Sequence, residues 1–207
     1  MKKAIIFGIT GQDGSYLADL LLSKGYEVHG LLRKSATGNT KNIDHIKNDI
    51  VIHKGDLFDL ISIYRIIKKV NPIEIYNEAD QDHVSWSYDL PGYSYDITGA
   101  IVGKILEIVK EVNNKIKFFQ PLSSNIFGKA NFFPQDENFA YNPQSPYGLS
   151  KVFAKIISKY YRDVHKIFVS TAIFYNHESE RRSPEYVTRK ITQAAAKISL
   201  GIKKDLF

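Results

Sequence analysis

Short apolar runs rich in β-branched residues alternate along this chain with longer stretches whose apolar positions recur every three or four residues. That alternation of a two-residue with a helical period predicts strands separated by amphipathic helices. Ala4-Ile5-Ile6-Phe7 reads as the first strand, and Tyr16, Leu17, Leu20 and Leu21 as the apolar stripe of the helix after it. Tyr26 to Leu32 predicts a second strand, and a polar loop from Ala36 to Asp49 leads to a third at Ile50-Val51-Ile52-His53. Asp59 is placed to cap a helix through Ile63, Ile66, Ile67 and Val70 that stops at Pro72. Ile73 to Asn77 predicts strand four, and a long helix from about Tyr95 carries Ile97, Ile101, Ile105, Ile108 and Val112. Ile116 to Leu122 reads as strand five, Pro146 to His165 as a helix, Phe168 to Tyr175 as strand six, and Pro184 to Leu200 as a last amphipathic helix. Regular strand–helix alternation predicts an α/β protein, a Rossmann-type doubly wound parallel sheet covered on both faces.

The junction of the first strand and helix carries chemistry. Gly8-Ile9-Thr10-Gly11-Gln12-Asp13-Gly14 follows the apolar run directly and opens the helix. Gly8 allows a sharp turn off the strand. Gly11 removes a side chain where a phosphate would approach the backbone, and Gly14 lets the helix pack close to the sheet. The helix N-terminus then offers amides and a positive dipole end to a pyrophosphate. The spacing G-x-x-G-x-x-G is one residue wider in its first gap than the common dinucleotide fingerprint. Alone it would fit any tight turn; between a strand and a helix it indicates a dinucleotide. Strand two then ends in Arg33-Lys34-Ser35, where an NAD site usually places a carboxylate. A guanidinium there suits a 2′-phosphate, and charge-assisted hydrogen bonds to phosphate are worth about 1.5–3 kcal/mol each. NADP is the expected cofactor, with an ordinary basic loop as the alternative.

Composition narrows the classes. The 207 residues, 43% apolar and 24% charged, suffice for one substantial domain with a buried core. The net charge of +6 comes mostly from dispersed lysines. No RNP, helix-turn-helix or zinc-finger pattern accompanies the basic pairs, so small polyanions rather than nucleic acid are the expected partners. The absence of cysteine removes disulfides, thiolate catalysis and cysteine metal sites. The six histidines, at 29, 45, 53, 83, 165 and 177, lack ligand spacing, so no metal is expected. The apolar run after Met1-Lys2-Lys3 is too short for a signal peptide, and no run reaches the roughly 18 residues of a membrane span. The expectation is a soluble, cytoplasmic protein with no membrane partner.

Polar segments recur at the carboxyl ends of the predicted strands, where a doubly wound sheet keeps its ligands. They are Gly55-Asp56-Leu57, then Asn77 to His83, then Ser123-Ser124-Asn125. Downstream, Tyr147 and Lys151 stand four apart in Ser145-Pro146-Tyr147-Gly148-Leu149-Ser150-Lys151, on one helix face. A lysine beside a phenol favours the phenolate, whose ordinary pKa is about 10, and makes the tyrosine a usable base. Ser123 could hydrogen-bond the same substrate hydroxyl. Y-x-x-x-K also arises by chance as an exposed pair; the dinucleotide loop and the serine-rich strand end favour catalysis.

At this point the whole chain resembles the extended short-chain dehydrogenases that act on nucleotide sugars, and within them the GDP-mannose 4,6-dehydratase family. The matching stretches include GITGQDGSYLADLLLSKGYEVHGLLRKS, NIDHI, KGDLFD, PIEIYN, QSPYGLSK and FYNHESERRSPEYVTRKITQAAAKISLG. The resemblance implies a pyrophosphate cradle at Gly8, Ile9, Thr10, Gly11, Gln12, Asp13 and Gly14, and a 2′-phosphate site at Arg33, Lys34 and Ser35. It implies further cofactor contacts at Asp56, Leu57, Gln81, Tyr93, Lys151, His177 and Arg182, and nucleotide-sugar contacts at Asn176 and Lys190. Tyr147, Lys151 and Ser123 match the catalytic tyrosine, its lysine and a hydroxyl. In such enzymes the tyrosine takes the sugar 4-hydroxyl proton as hydride passes to NADP. A glutamate then removes the C5 proton, water leaves C6, and hydride returns there.

Three departures bear on function. The family reads S-T-S-E-L-Y-G after strand five, whereas this chain places Asn125 at the glutamate position. A carboxamide cannot take a proton, and loss of a general base typically costs roughly 10²–10⁴-fold. The family also reads about N-L-G-A-Q-S-H-V where this chain has Asn77-Glu78-Ala79-Asp80-Gln81-Asp82-His83-Val84. Three carboxylates there either oppose a bound phosphate or stand as solvated loop acids. Finally, the chain stops at Phe207, where the family continues into its sugar-binding part. The expected organisation is an NADP-binding Rossmann domain over 1–180 and the start of a truncated substrate part over 181–207, the C-terminal substrate domain being largely missing. The leading expectation is a 4,6-dehydratase acting on GDP-mannose, as a homo-oligomer or paired with a full-length homologue. The alternatives are a nucleotide-sugar 4-dehydrogenase or 4-epimerase without elimination, and an inactive dinucleotide-binding remnant or partner subunit.

Overall fold

The structure, a computed structural model, describes residues 1–33, 39–129 and 133–202. Residues Met1–Tyr175 form one compact unit and Asn176–Phe207 a second. In the first unit the apolar runs form six strands: β1 (Lys3–Phe7), β2 (Glu27–Leu32), β3 (Val51–Lys54), β4 (Glu74–Asn77), β5 (Lys117–Ser123) and β6 (Val169–Phe174). They pair in the order β3-β2-β1-β4-β5-β6, every pair parallel. This is the doubly wound order, and it reverses direction between β1 and β4, where such sheets bind ligands.

The strand period divides the core. Ile5 and Phe7 face one side of β1, while Ala4 and Ile6 face the other. On the first side lie α2 (Leu60–Val70), α5 (Ile101–Asn113) and α6 (Pro146–Asp163), which contribute Ile63, Ile67, Ile101, Ile105 and Ala154. On the second lie α1 (Gln12–Ser23) and a 3₁₀ turn at Lys41–Ile46, which contribute Ala18, Leu21, Ile43 and Ile46. Asp59 caps α2 as its position predicts, accepting from the Ser62 amide at 3.2 Å.

Local structure differs from the sequence reading between β4 and α5. Two single-turn helices, α3 (Trp86–Asp89) and α4 (Pro91–Ser94), run into a π-helical turn at Tyr95–Ala100, and only then does α5 begin. The periodic isoleucines place a helix there but do not reveal the wider π turn. The second unit contains α7 (Val187–Ser199). Among the described residues no helix is long and apolar enough to cross a membrane.

Candidate active site

Backbone packing dictates two of the three glycines in the turn. Gly8 has φ +80°, and a Cβ there would lie 2.5 Å from the Glu78 carbonyl carbon and oxygen. A Cβ on Gly14 would lie 2.3 Å from the Gly8 carbonyl oxygen. Both positions therefore exclude every side chain, because backbone fills the space. Gly11 differs: it is exposed, and the nearest atom to an added Cβ is the Gly8 oxygen at 3.2 Å. The room beside it is on the open side, at the start of α1, where Gly11 supplies no capping side chain to the helix amides. An anion fits that cradle. Ile9 points inward and is fully buried in the core, so within the loop it can offer a ligand only backbone. The Thr10 carbonyl accepts from Asn42 Nδ2 at 3.1 Å, tying the turn to the 3₁₀ segment.

Three residues expected at the far end of a dinucleotide also come together. Arg33 Nη1 donates to Tyr93 Oη at 3.4 Å, and the Tyr93 ring packs against Phe58 with centroids 5.7 Å apart. Asp56 accepts from the Phe58 amide at 2.9 Å, while the Leu57 side chain lies in the core. Phe58 and Asn42 escaped the sequence reading, although both lie inside stretches, KGDLFD and NIDHI, that it singled out. Lys34 and Ser35 lie outside the described residues.

The third group sits where β5 meets α6. Ser145 caps α6 by accepting from the Gly148 amide at 3.0 Å, with Pro146 at the first helical position. Gly148 allows the helix start to rest on the strand end, since a Cβ there would lie 2.7 Å from the Asn125 carbonyl oxygen. Tyr147 is thereby placed near Ser123, whose side chain pulls the phenol's pKa down. Ser123 Oγ also accepts from Asn125 Nδ2 at 3.0 Å and from the Asn125 amide at 3.2 Å. Lys151, one turn on, places Nζ 5.6 Å from the Tyr147 ring centroid. The four residues expected to carry catalysis are thus one cluster.

The electrostatics of that cluster differ from expectation. Lys151 is only 3% exposed, and its Nζ donates to the Pro121 carbonyl at 3.0 Å and pairs with Asp80 Oδ2 at 2.5 Å. Asp80 in turn accepts from the Thr98 hydroxyl. The Tyr147 phenol is not brought down. Burial pushes it up to about 12; Lys151 and Ser123 pull the other way, while Asp80 and Asp82 add to the rise. Lys151 is itself held above its ordinary value: burial works against its charge, and Asp80, Tyr147 and Glu78 together more than offset that. The three acids flagged in the sequence therefore separate. Asp80 is turned inward, Glu78 is half-buried and Asp82 is exposed. Gln81 is buried, donating to the His83 carbonyl at 2.9 Å and accepting from Ser94 at 3.3 Å.

In the second unit Asn176, His177 and Lys190 are exposed. Arg182 lies over the Tyr186 ring at 3.5 Å, with Nε 3.6 Å from Glu178.

The family model described as GDP-mannose 4,6 dehydratase matches residues 5–207. The chain belongs to the GDP-mannose 4,6-dehydratase family. GDP-mannose 4,6-dehydratase of Yersinia enterocolitica is 42% identical over the whole chain, which spans 58% of that relative. The human GDP-mannose 4,6 dehydratase is 44% identical over 96% of the chain and 56% of its own length. The chain thus spans somewhat more than half of the relatives it matches. A dTDP-glucose 4,6-dehydratase from Streptomyces venezuelae with NAD bound superimposes with a TM-score of 0.84 at 18% identity, covering 96% of this chain and 62% of that one. UDP-glucose 4-epimerase from Brucella ovis, in complex with NAD, gives 0.82 at 20% identity, with 96% and 62% covered. At those identities the two structures speak to the fold. The cluster at β5 and α6 has an amide at residue 125 and a carboxylate on the lysine.

Proposed function

We propose that this chain supplies the cofactor-binding and C4-reacting part of an NADP-dependent nucleotide-sugar 4,6-dehydratase, with GDP-mannose converted to GDP-4-keto-6-deoxymannose. The observation that carries this reading is the Ser123–Tyr147–Lys151 cluster at the β5 end of a sheet whose β1 end carries the glycine turn. Residues 1–180 act as the NADP-binding domain and 181–207 begin the sugar-binding part. A nicotinamide cofactor held there would supply the hydride acceptor and donor. Tyr147 Oη takes and returns the sugar 4-hydroxyl proton, Ser123 orients that hydroxyl, and Lys151 sets the charge beside the phenol. Arg33, with Lys34 and Ser35, meets the 2′-phosphate, and Tyr93 and Phe58 flank the adenine end. The family resemblance gives cofactor contacts to His177 and Arg182, and nucleotide-sugar contacts to Asn176 and Lys190.

A second reading rests on Asn125. Its carboxamide donates to Ser123 where the family's glutamate base stands, so C4 oxidation and reduction, or epimerisation, could proceed without loss of water.

The reading extends to a cytoplasmic homo-oligomer. Leu149, Phe153, Ile156 and Tyr160 form an exposed apolar stripe along α6 that a second copy would cover. Light scattering of the purified chain tests this, and a mass of one chain would count against it.

Thermal unfolding with NADPH and NADH tests the cofactor. A ligand that binds only the folded state adds about 2.7 kcal/mol at a hundredfold excess over Kd. The expected result is a clear rise in Tm with NADPH and a smaller one with NADH. Equal shifts would remove the 2′-phosphate site, and no shift with either would sink the dinucleotide reading.

A further inference from the structure

The acid segment after β4 holds one residue whose surroundings are those of a built site. Asp80 has both carboxylate oxygens engaged inside the protein, Oδ1 by the Thr98 hydroxyl and Oδ2 by Lys151 Nζ at 2.5 Å. The side chains of the lysine and the aspartate are 4% and 13% exposed. Three separate segments create the arrangement: the β4 end, the π turn that carries Thr98, and α6, on which that turn packs. Without a carboxylate at this position the ammonium would keep only the Pro121 carbonyl among these partners.

We propose that Asp80 is a positioning residue, which holds Lys151 in an internal ion pair and so limits what the lysine can do for Tyr147 and for a bound dinucleotide. The physical reason is competition. One ammonium in a dry setting is neutralised by one carboxylate at contact distance, and a second negative group gains little from it. Lys151 lies beside the phenol, but its field there is opposed by the aspartate it is paired with. A dinucleotide that needs Lys151 must draw it from Asp80 or accept a poorer contact. The charged groups facing the phenol are Lys151 from α6 and Asp80 and Asp82 from the segment after β4, and Glu78 acts on Lys151. Asp80 is the one among these acids that touches the lysine. The cofactor part of this inference rests on the function proposed above; the effect on Tyr147 does not.

The test uses the full chain, Asp80→Ala, Asp80→Asn and Asp82→Asn, each also combined with Tyr147→Phe. The ultraviolet difference between each protein and its counterpart carrying Tyr147→Phe isolates the ionisation of this one phenol, and fluorescence titration gives the NADPH Kd. With Asp80→Ala the phenol midpoint should fall by about one unit or more, and NADPH should bind about tenfold more tightly. Asp80→Asn keeps the shape without the charge and serves if the alanine variant does not fold. Asp82→Asn should move both quantities less. In a Lys151→Met background the gain in NADPH affinity should vanish, because it acts through the lysine. If a folded Asp80 variant leaves the phenol midpoint unmoved, the proposal is overturned. If NADPH binds to none of the proteins yet the midpoint falls, the positioning role stands and the dehydratase reading is what fails.

Discussion

Lys151→Met is expected to lower the unfolding free energy by about 3–5 kcal/mol, the usual cost of removing one partner from a buried ion pair. The size follows from what is left behind. Asp80 stays buried, still accepting from Thr98, but its charge has lost the one cation at contact distance. The carboxyl must then remain ionised without compensation, take up a proton, or rotate into water at the expense of packing. The hydrogen bond to the Pro121 carbonyl is lost as well. Methionine fills much of the volume, so the loss reports charge more than cavity. Combining Lys151→Met with Asp80→Ala should recover most of the stability, since the orphaned charge is then gone. Urea unfolding at neutral pH measures both. A single variant within about 1 kcal/mol of the parent, as for exposed pairs, would show the ion pair to be solvated.

Asn125→Glu is expected to raise the rate of water loss from a GDP-mannose-derived 4-keto sugar by about 10²–10⁴-fold, the range associated with a positioned general base. Asn125 already points at Ser123, so the longer side chain enters the site rather than leaving it. The exchange also reverses one hydrogen bond. The carboxamide donates to Ser123 Oγ, which leaves the single serine proton for a partner other than residue 125. A carboxylate accepts, and would take that proton itself. Formation of 4-keto-6-deoxy product in the presence of NADP measures the outcome. A folded, NADPH-binding variant with no gain would place the missing chemistry outside residue 125.

Much of the fold was legible because one physical signal dominated it. Strands buried on both faces read as continuous apolar runs, and Gly8 and Gly14 must be glycine because backbone atoms occupy the Cβ positions. The Tyr147–Lys151 pair could be read from helical spacing, and Ser123 from its place at a strand end. The charge on that pair could not. Alternation along β4 ends at Asn77, so nothing in the sequence says which of Glu78, Asp80 and Asp82 turns inward. The answer depends on residues 98 and 151, which only the topology brings beside 80. Thr98 gave no signal, because a threonine among periodic isoleucines reads as an ordinary helical position. The same stretch concealed α3 and α4, whose single turns are too short to establish a period.

The π turn at Tyr95–Ala100 also sets which side chain meets Asp80. A wide turn of this kind holds one residue more than an α-helical turn, and shedding it would rotate everything before it by about 100° relative to α5. Thr98 would swing off Asp80 while Ile101 and Ile105 stayed anchored in the core. The register of this one helix thus decides whether Thr98 meets Asp80.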